Sequence, residues 1–225
     1  MNEISAQTRA DEILEELRWQ ANPEAVQKMA HYGIQGGEVL GIKIPVLREM
    51  AKRISRDHDL AGALWGSGVH EARILAGFID DPAHVTEAQM EAWVLDFDSW
   101  DVCDQVVGNL FDKTALAYPK AHEWSGRQEE FVKRAGFVMM AQLAVHDKQA
   151  PDEPFLEFLP LIVREAHDER NFVKKAVNWA LRQIGKRNDR LRSAAVKTAE
   201  EVQALDNKAA RWIAADALRE LNGRK

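Results

Sequence analysis

The sequence contains a single cysteine, Cys103, in 225 residues. One thiol permits neither an internal disulfide nor a multi-cysteine zinc site, and it suits a reducing compartment. No stretch reaches the run of about 18 uncharged apolar residues that a membrane-crossing helix requires. The opening MNEISAQTRADEILEEL is acidic and amphipathic, and lacks the cationic start and apolar run of a secretory signal. A cytosolic, non-membrane protein is therefore expected, in a bacterial-type cytosol. Alternating β-branched segments bounded by hairpin turns are also missing, which argues against a sheet. The histidines include no pair at metal-ligand spacing and no HExxH, so neither a metal nor a cofactor is expected. GIQGGEVLG lacks the strand, spacing and lysine of a phosphate-binding loop, and the GSG at 66–68 has no nucleophile-elbow pattern.

Apolar residues make up 46% of the chain and charged residues 29%, a balance that excludes a disordered tail or a fibre. The length suits one domain over 1–225, built on a single core or as one continuous array. Helix-period patterns fill nearly all of it. Helices are expected over 5–20, 23–32, 43–54, 58–66, 69–79, 86–97, 99–113, 117–125, 127–146, 154–166, 170–186, 188–203 and 207–222. The fold class is all-α, with about a dozen helices. Pro23 after Asn22 and Pro45 after a glycine-bearing loop mark helix starts. Thr86 and Gln89 have capping-box spacing, and Pro160 is expected to kink or restart its helix.

Three stretches resemble one another: EEFVKRAGFVMMAQL, ERNFVKKAVNWALRQI and NKAARWIAADALREL. Each opens polar, places a cation near its start and then turns apolar with small residues. HEARILAGFIDD is a fainter relative. Arg73, Arg134, Lys175 and Trp212 are separated by 61, 41 and 37 residues, within the range of helical-pair repeats if one unit lies in the first gap. Stacked pairs would form a curved solenoid with its cations in a row on one face; the other reading is a globular bundle.

Net charge is −6, which alone argues against a nucleic-acid partner. The distribution changes this. Between residues 71 and 104 Arg73 is the only Lys or Arg among nine Asp and Glu, whereas between 170 and 197 nine Lys and Arg stand against Asp189 alone. Either two solvated faces attract one another or the basic stretch meets phosphate.

Two runs could carry chemistry. In FDSWDVCDQVVGNLF, with Ser99 as the cap, Trp100 and Asp104 lie one helical turn apart on one face, while Asp101 and Cys103 point elsewhere. This is either an aromatic–carboxylate pair or a charged cap beside a core tryptophan. Asp104, followed by apolar residues, should lie close to the buried side, where a carboxylate is costly without a purpose or a partner. In FVKKAVNWALRQIGKR, Trp179 shares a helix face with Lys175 and Arg182, as expected for meeting a base, sugar or phosphate edge, or else it is core. Arg134 holds a similar place one repeat earlier, with a salt bridge to Glu129 or Glu130 as its alternative. Glu71 could face Arg73 or another helix. Cys103 reads as packing.

GIKIPVLR (41–48), HEARILA (70–76), SWDVCDQV (99–106), FVKRAGF (131–137) and FVKKAVNWALRQIGK (172–186) together resemble the HEAT-like-repeat alkylpurine DNA glycosylases of the AlkC/AlkD superfamily, in particular the AlkD-like branch. The resemblance covers most of the chain in order. It implies a HEAT-like repeat solenoid that cradles duplex DNA in a basic groove and excises cationic bases such as 3-methyladenine and 7-methylguanine. By motif, Asp104, Trp100 and Trp179 would be catalytic, with Arg134 on a phosphate. Lys174, Lys175, Arg182, Lys186 and Arg187 would complete the DNA-binding set. An already cationic base leaves as a neutral molecule without a general acid, so the remaining cost is the oxocarbenium-like sugar, which a fixed carboxylate and electron-rich rings stabilise. Most base-modifying enzymes extrude the base into a pocket, whereas the resemblance implies a lesion handled outside any tight pocket. A monomer acting on alkylated duplex is expected. The alternative is a non-catalytic HEAT-like module that binds DNA structures or a protein partner; such branches generally lack the aromatic–carboxylate pair.

Overall fold

The structure, a computed structural model, describes residues 5–223. Thirteen α-helices occur among them, and the only strand-like feature is an isolated bridge between Glu38 and Val69. The chain divides into two compact units, one ending at Thr114 and the other beginning at Ala115.

The first unit contains α1 (Ala6–Trp19), α2 (Pro23–His31), α3 (Ile44–Ile54), α4 (His58–Gly66), α5 (His70–Ile79), α6 (Glu87–Leu95) and α7 (Trp100–Asn109). Helix α5 is its centre, packed against α3, α4 and α7, and α1 packs against α4. Trp65 of α4 and Trp93 of α6 stack face to face, with centroids 4.0 Å apart. Such a pair contributes about 1 kcal/mol beyond its buried area. Helix α2 buries none of its residues.

The second unit contains α8 (Ala117–Ser125), α9 (Glu130–His146), α10 (Glu153–Glu165), α11 (Asn171–Gly185), α12 (Asp189–Gln203) and α13 (Lys208–Asn222). Here α9, α11 and α13 pack side by side as one row, and α8, α10 and α12 as the other. These two rows are the three similar stretches and their partners. Small residues do allow close approach: a Cβ on Gly136 would lie 2.4 Å from the backbone nitrogen of Ser125, so α9 crosses α8 at backbone distance.

Several local expectations need correction. The helix expected over 99–113 ends at Asn109 and gives way to a 3-10 turn, Phe111–Lys113. Polar side chains take its last carbonyls: Asn109 Nδ2 donates to Gln105 O at 2.7 Å, and Lys113 Nζ to Asn109 O. Helix α9 starts at Glu130 rather than 127, because Arg170 fixes the preceding loop by donating to Gln128 O at 2.7 Å. Pro160 lies inside an uninterrupted α10 and does not restart it. Thr86 completes half of a capping box, accepting from Gln89 N at 3.2 Å, while the Gln89 amide turns instead to Asp80 at 2.6 Å.

Candidate functional site

In the first unit the candidate residues are on α7, and four contacts fix where that helix begins. Asp96, just before it, accepts from Trp65 Nε1 at 2.9 Å, and its carbonyl accepts from Arg73 at 2.9 Å. Asp101 is buried and meets His70 Nε2 of α5 at 3.0 Å. Trp100 Nε1 donates to the carbonyl of Tyr32 at 3.1 Å. Ser99 precedes the helix, but its hydroxyl makes no cap bond; it is buried without a hydrogen-bond partner. Asp101 Oδ1 takes part of that role, accepting from Val102 N at 3.1 Å.

The register of α7 follows from its apolar face. Val102, Cys103, Val106 and Val107 are fully buried, and α7 lies so close to α5 that a Cβ on Gly77 would sit 3.0 Å from Val106. Trp100 and Asp104, one turn apart, are both half-buried. Trp100 is not a core tryptophan, and Cys103 is packing.

Glu71 turns to the backbone rather than to Arg73. It is fully buried and accepts from Leu40 N at 2.9 Å, Gly41 N at 2.7 Å and Ile42 N at 3.2 Å. Gly41 is needed there: its φ is +78°, and a Cβ would lie 2.5 Å from Asn22 O. The GIKIP and HEAR runs therefore form one clamp. His70, the residue before Glu71, holds α7, so the start of α5 organises both neighbours.

In the second unit, Arg134 is buried on α9 and donates from Nη1 to the carbonyl of Phe172 at 2.6 Å. Lys133 beside it is buried too, 2.6 Å from Glu165 and 3.3 Å from Asp168. On α11, Trp179 is half-buried and Lys175 is exposed. Lys174 Nζ lies 5.1 Å from the ring centroid of Trp212 on α13, a cation–π contact.

A family model for DNA alkylation repair enzymes matches residues 13–221. The chain belongs to the DNA alkylation repair enzyme family. A solved structure with a TM-score of 0.77 is 22% identical, with 96% of each chain covered; it represents a new family of proteins related to the HEAT-like repeat DNA glycosylases, with affinity for branched DNA structures. The likeness establishes a HEAT-like repeat fold for this repair-family chain. No curated protein matches it in sequence.

The basic stretch of this repair-family protein is neutralised more locally than its sequence suggests. Arg182 meets Glu220 at 2.6 Å and Asp216 at 3.6 Å, and Lys186 also pairs with Glu220. Arg170 meets Asp168 at 2.6 Å. Arg187, expected among the DNA-binding residues, is engaged by the protein's own backbone. Its guanidinium donates to the carbonyls of Ala144 at 2.9 Å, Asp147 at 2.9 Å and Ala150 at 3.1 Å, and lies 4.0 Å from the Phe155 centroid, so it tethers the loop after α9. Among the described residues no three His, Cys, Asp or Glu side chains gather as a metal site, and no helix is long and apolar enough to cross a membrane.

The His70–Asp101 contact was not anticipated from sequence; its only signal was a histidine at a helix start in an acid-rich stretch. Burial pulls the His70 imidazole down, but the hydrogen bond to Asp101 and the charges of Asp101, Glu71 and Asp98 outweigh this and raise it above 6.5. A histidine that holds its proton more tightly when folded contributes stability fully below its ordinary value. That contribution is lost as pH rises through the raised value. The melting temperature should therefore fall as pH rises from about 6.5 through the raised value, and fall less in His70→Asn. An identical pH slope in the variant would place the dependence on another group.

Proposed function

We propose that the protein is a monofunctional glycosylase that hydrolyses the N-glycosidic bond of cationic alkylpurines, such as 3-alkyladenine and 7-alkylguanine, in duplex DNA. The observation that carries this reading is the pairing of Trp100 and Asp104, one turn apart at the start of α7 and both half-buried. A carboxylate in such a place stabilises positive charge better than one in open water.

Alkylation at a ring nitrogen makes the base a good leaving group, so the C1′–N bond breaks with the bonding pair moving to the base. The sugar becomes an oxocarbenium-like cation. Asp104 stabilises that cation and orients the water that attacks C1′, with Trp100 presenting a ring face to deoxyribose. Trp179 keeps the sugar-facing role its motif implies. Arg134, held against the Phe172 carbonyl, is a pre-positioned guanidinium for a phosphate. Lys174 and Lys175 are the cations of α11 best placed for the DNA backbone; Arg182 and Lys186 would have to exchange Glu220 for phosphate. On this reading the chain works as one functional domain, monomeric and cytosolic.

The second reading is a non-catalytic module for DNA structures, favoured by the branched-DNA affinity of the solved relative. A panel of duplexes separates the two. Free base should appear from duplex carrying 7-methylguanine or 3-methyladenine and not from duplex carrying uracil, whose departure leaves a negative charge unaided. Release of uracil, or release of no base from a duplex that is bound, would overturn the proposal.

A further inference from the structure

A second cationic feature lies in the first unit, apart from α7's Trp100–Asp104 pair. Arg48 and Lys52 of α3, Arg56 just after that helix and Lys113 of the 3-10 turn line a cavity of about 320 Å3, together with Asn109 and the ring of Phe78. Arg48 lies over Phe78, 4.7 Å from its centroid, and donates to neutral oxygens, Gln105 Oε1 at 3.3 Å and Asn109 Oδ1 at 3.4 Å. Lys113 donates to the carbonyl of Asn109. Neither cation forms an ion pair among the described residues.

The nearby acids do not fill the cavity's need for negative charge. Lys52 meets Glu49 at 2.6 Å and Arg56 meets Asp81 at 3.5 Å, but both cations are about two-thirds or more exposed, and pairs of that kind are weak and exchange easily. Asp80 also lines the cavity. Its carboxylate is already engaged by His58 at 2.7 Å, Gln89 at 2.6 Å and the backbone N–H of Asp81 at 2.7 Å. Burial lowers the Lys113 ammonium, and Arg56 and Arg48 push it the same way against Asp112. These cations repel one another across the cavity, and an anion among them would relieve the repulsion.

We propose that this cavity seats a phosphodiester of the DNA backbone, with Arg48 and Lys113 holding it and Lys52 and Arg56 at the rim. Arg48 and Lys52 stand four residues apart on one helix face, about 6 Å along the axis, and Arg56 continues beyond the helix end. A line of charge suits a polyanionic strand better than one compact anion. The arginines can grip phosphate oxygens in bidentate fashion, and the lysines add point charge. The proposal rests on the DNA reading above and adds to it a phosphate contact outside the basic 170–197 stretch.

The test is fluorescence anisotropy of a labelled undamaged duplex against salt, using the full chain and a Lys52→Ala/Arg56→Ala variant. Both side chains are exposed, and thermal melting run alongside checks that the fold is kept. Affinity should fall about 10-fold, and the slope of log Kd against log salt should fall by about 1, since the one phosphate seated there contributes about 0.9. A variant matching a salt-sensitive wild type in affinity and slope would overturn the cavity assignment and leave the DNA reading standing. A wild type with a flat salt response would overturn both. Inorganic phosphate and phosphatidylserine vesicles serve as further probes: a variant impaired only toward one of these, with unchanged duplex affinity, would mark a small-anion or lipid site and overturn the proposal.

Discussion

Asp104→Asn is expected to release 7-methylguanine about 100-fold more slowly than wild type under single-turnover conditions, the scale on which one preorganised electrostatic group acts. The amide keeps the size of the side chain and most of its hydrogen bonding, and removes the charge that the proposed mechanism sets against the oxocarbenium. Duplex affinity should hold or rise slightly, because losing a carboxylate does not weaken attraction to phosphate. A purely structural role would behave in the opposite way: the variant would melt earlier and still release base at the normal rate per folded molecule. Melting curves recorded beside the rates separate the two. A stable variant with the wild-type rate would remove Asp104 from the chemistry.

Glu71→Ala is expected to cause the largest loss of stability. It would strand three N–H groups, those of Leu40, Gly41 and Ile42, which now donate to one fully buried carboxylate. Each buried donor left without a partner costs about 1–3 kcal/mol, so the total should be about 4 kcal/mol or more, less whatever water entering the gap recovers. Glu71→Gln should lie between, since its amide sets a donor against one of those N–H groups. Urea unfolding measures both, and a Glu71→Ala midpoint within about 1 kcal/mol of wild type would show that the loop does not depend on the clamp.

The helices were legible because their signals are local. Asn22 accepts from Ala25 N at 3.1 Å ahead of Pro23, as the Asn-Pro pair suggested, and the 3.6-residue period of α11 places Val173, Ala176, Val177, Ala180 and Leu181 in the core. The three similar stretches became α9, α11 and α13 in one row, because a repeated pattern of small and apolar residues needs the same neighbour each time. The likeness of Trp100 and Asp104 in environment was likewise readable from their spacing of four.

What was not legible depends on partners distant in sequence. Arg187 looked like a solvent-facing cation, and only the returning loop after α9 supplies the three carbonyls that occupy it. Glu71 lies 29 to 31 residues from the N–H groups it holds, and nothing in a helix pattern identifies such an acceptor. The basic 170–197 stretch reads as unopposed because Glu220, Asp216 and Asp168 lie outside it in sequence. Net charge along a sequence ignores pairing across a helix row, and so overstates the field a ligand meets.

The central claim is that this member of the alkylation repair family breaks the glycosidic bond. The most direct measurement incubates excess wild-type protein with duplex containing 7-methylguanine, in EDTA, and follows free base by chromatography. A cationic base needs no Lewis acid to leave, so release should be first-order, well above spontaneous depurination and insensitive to EDTA. Duplex that is bound yet yields free base no faster than DNA alone would contradict catalysis and leave a DNA-structure-binding protein.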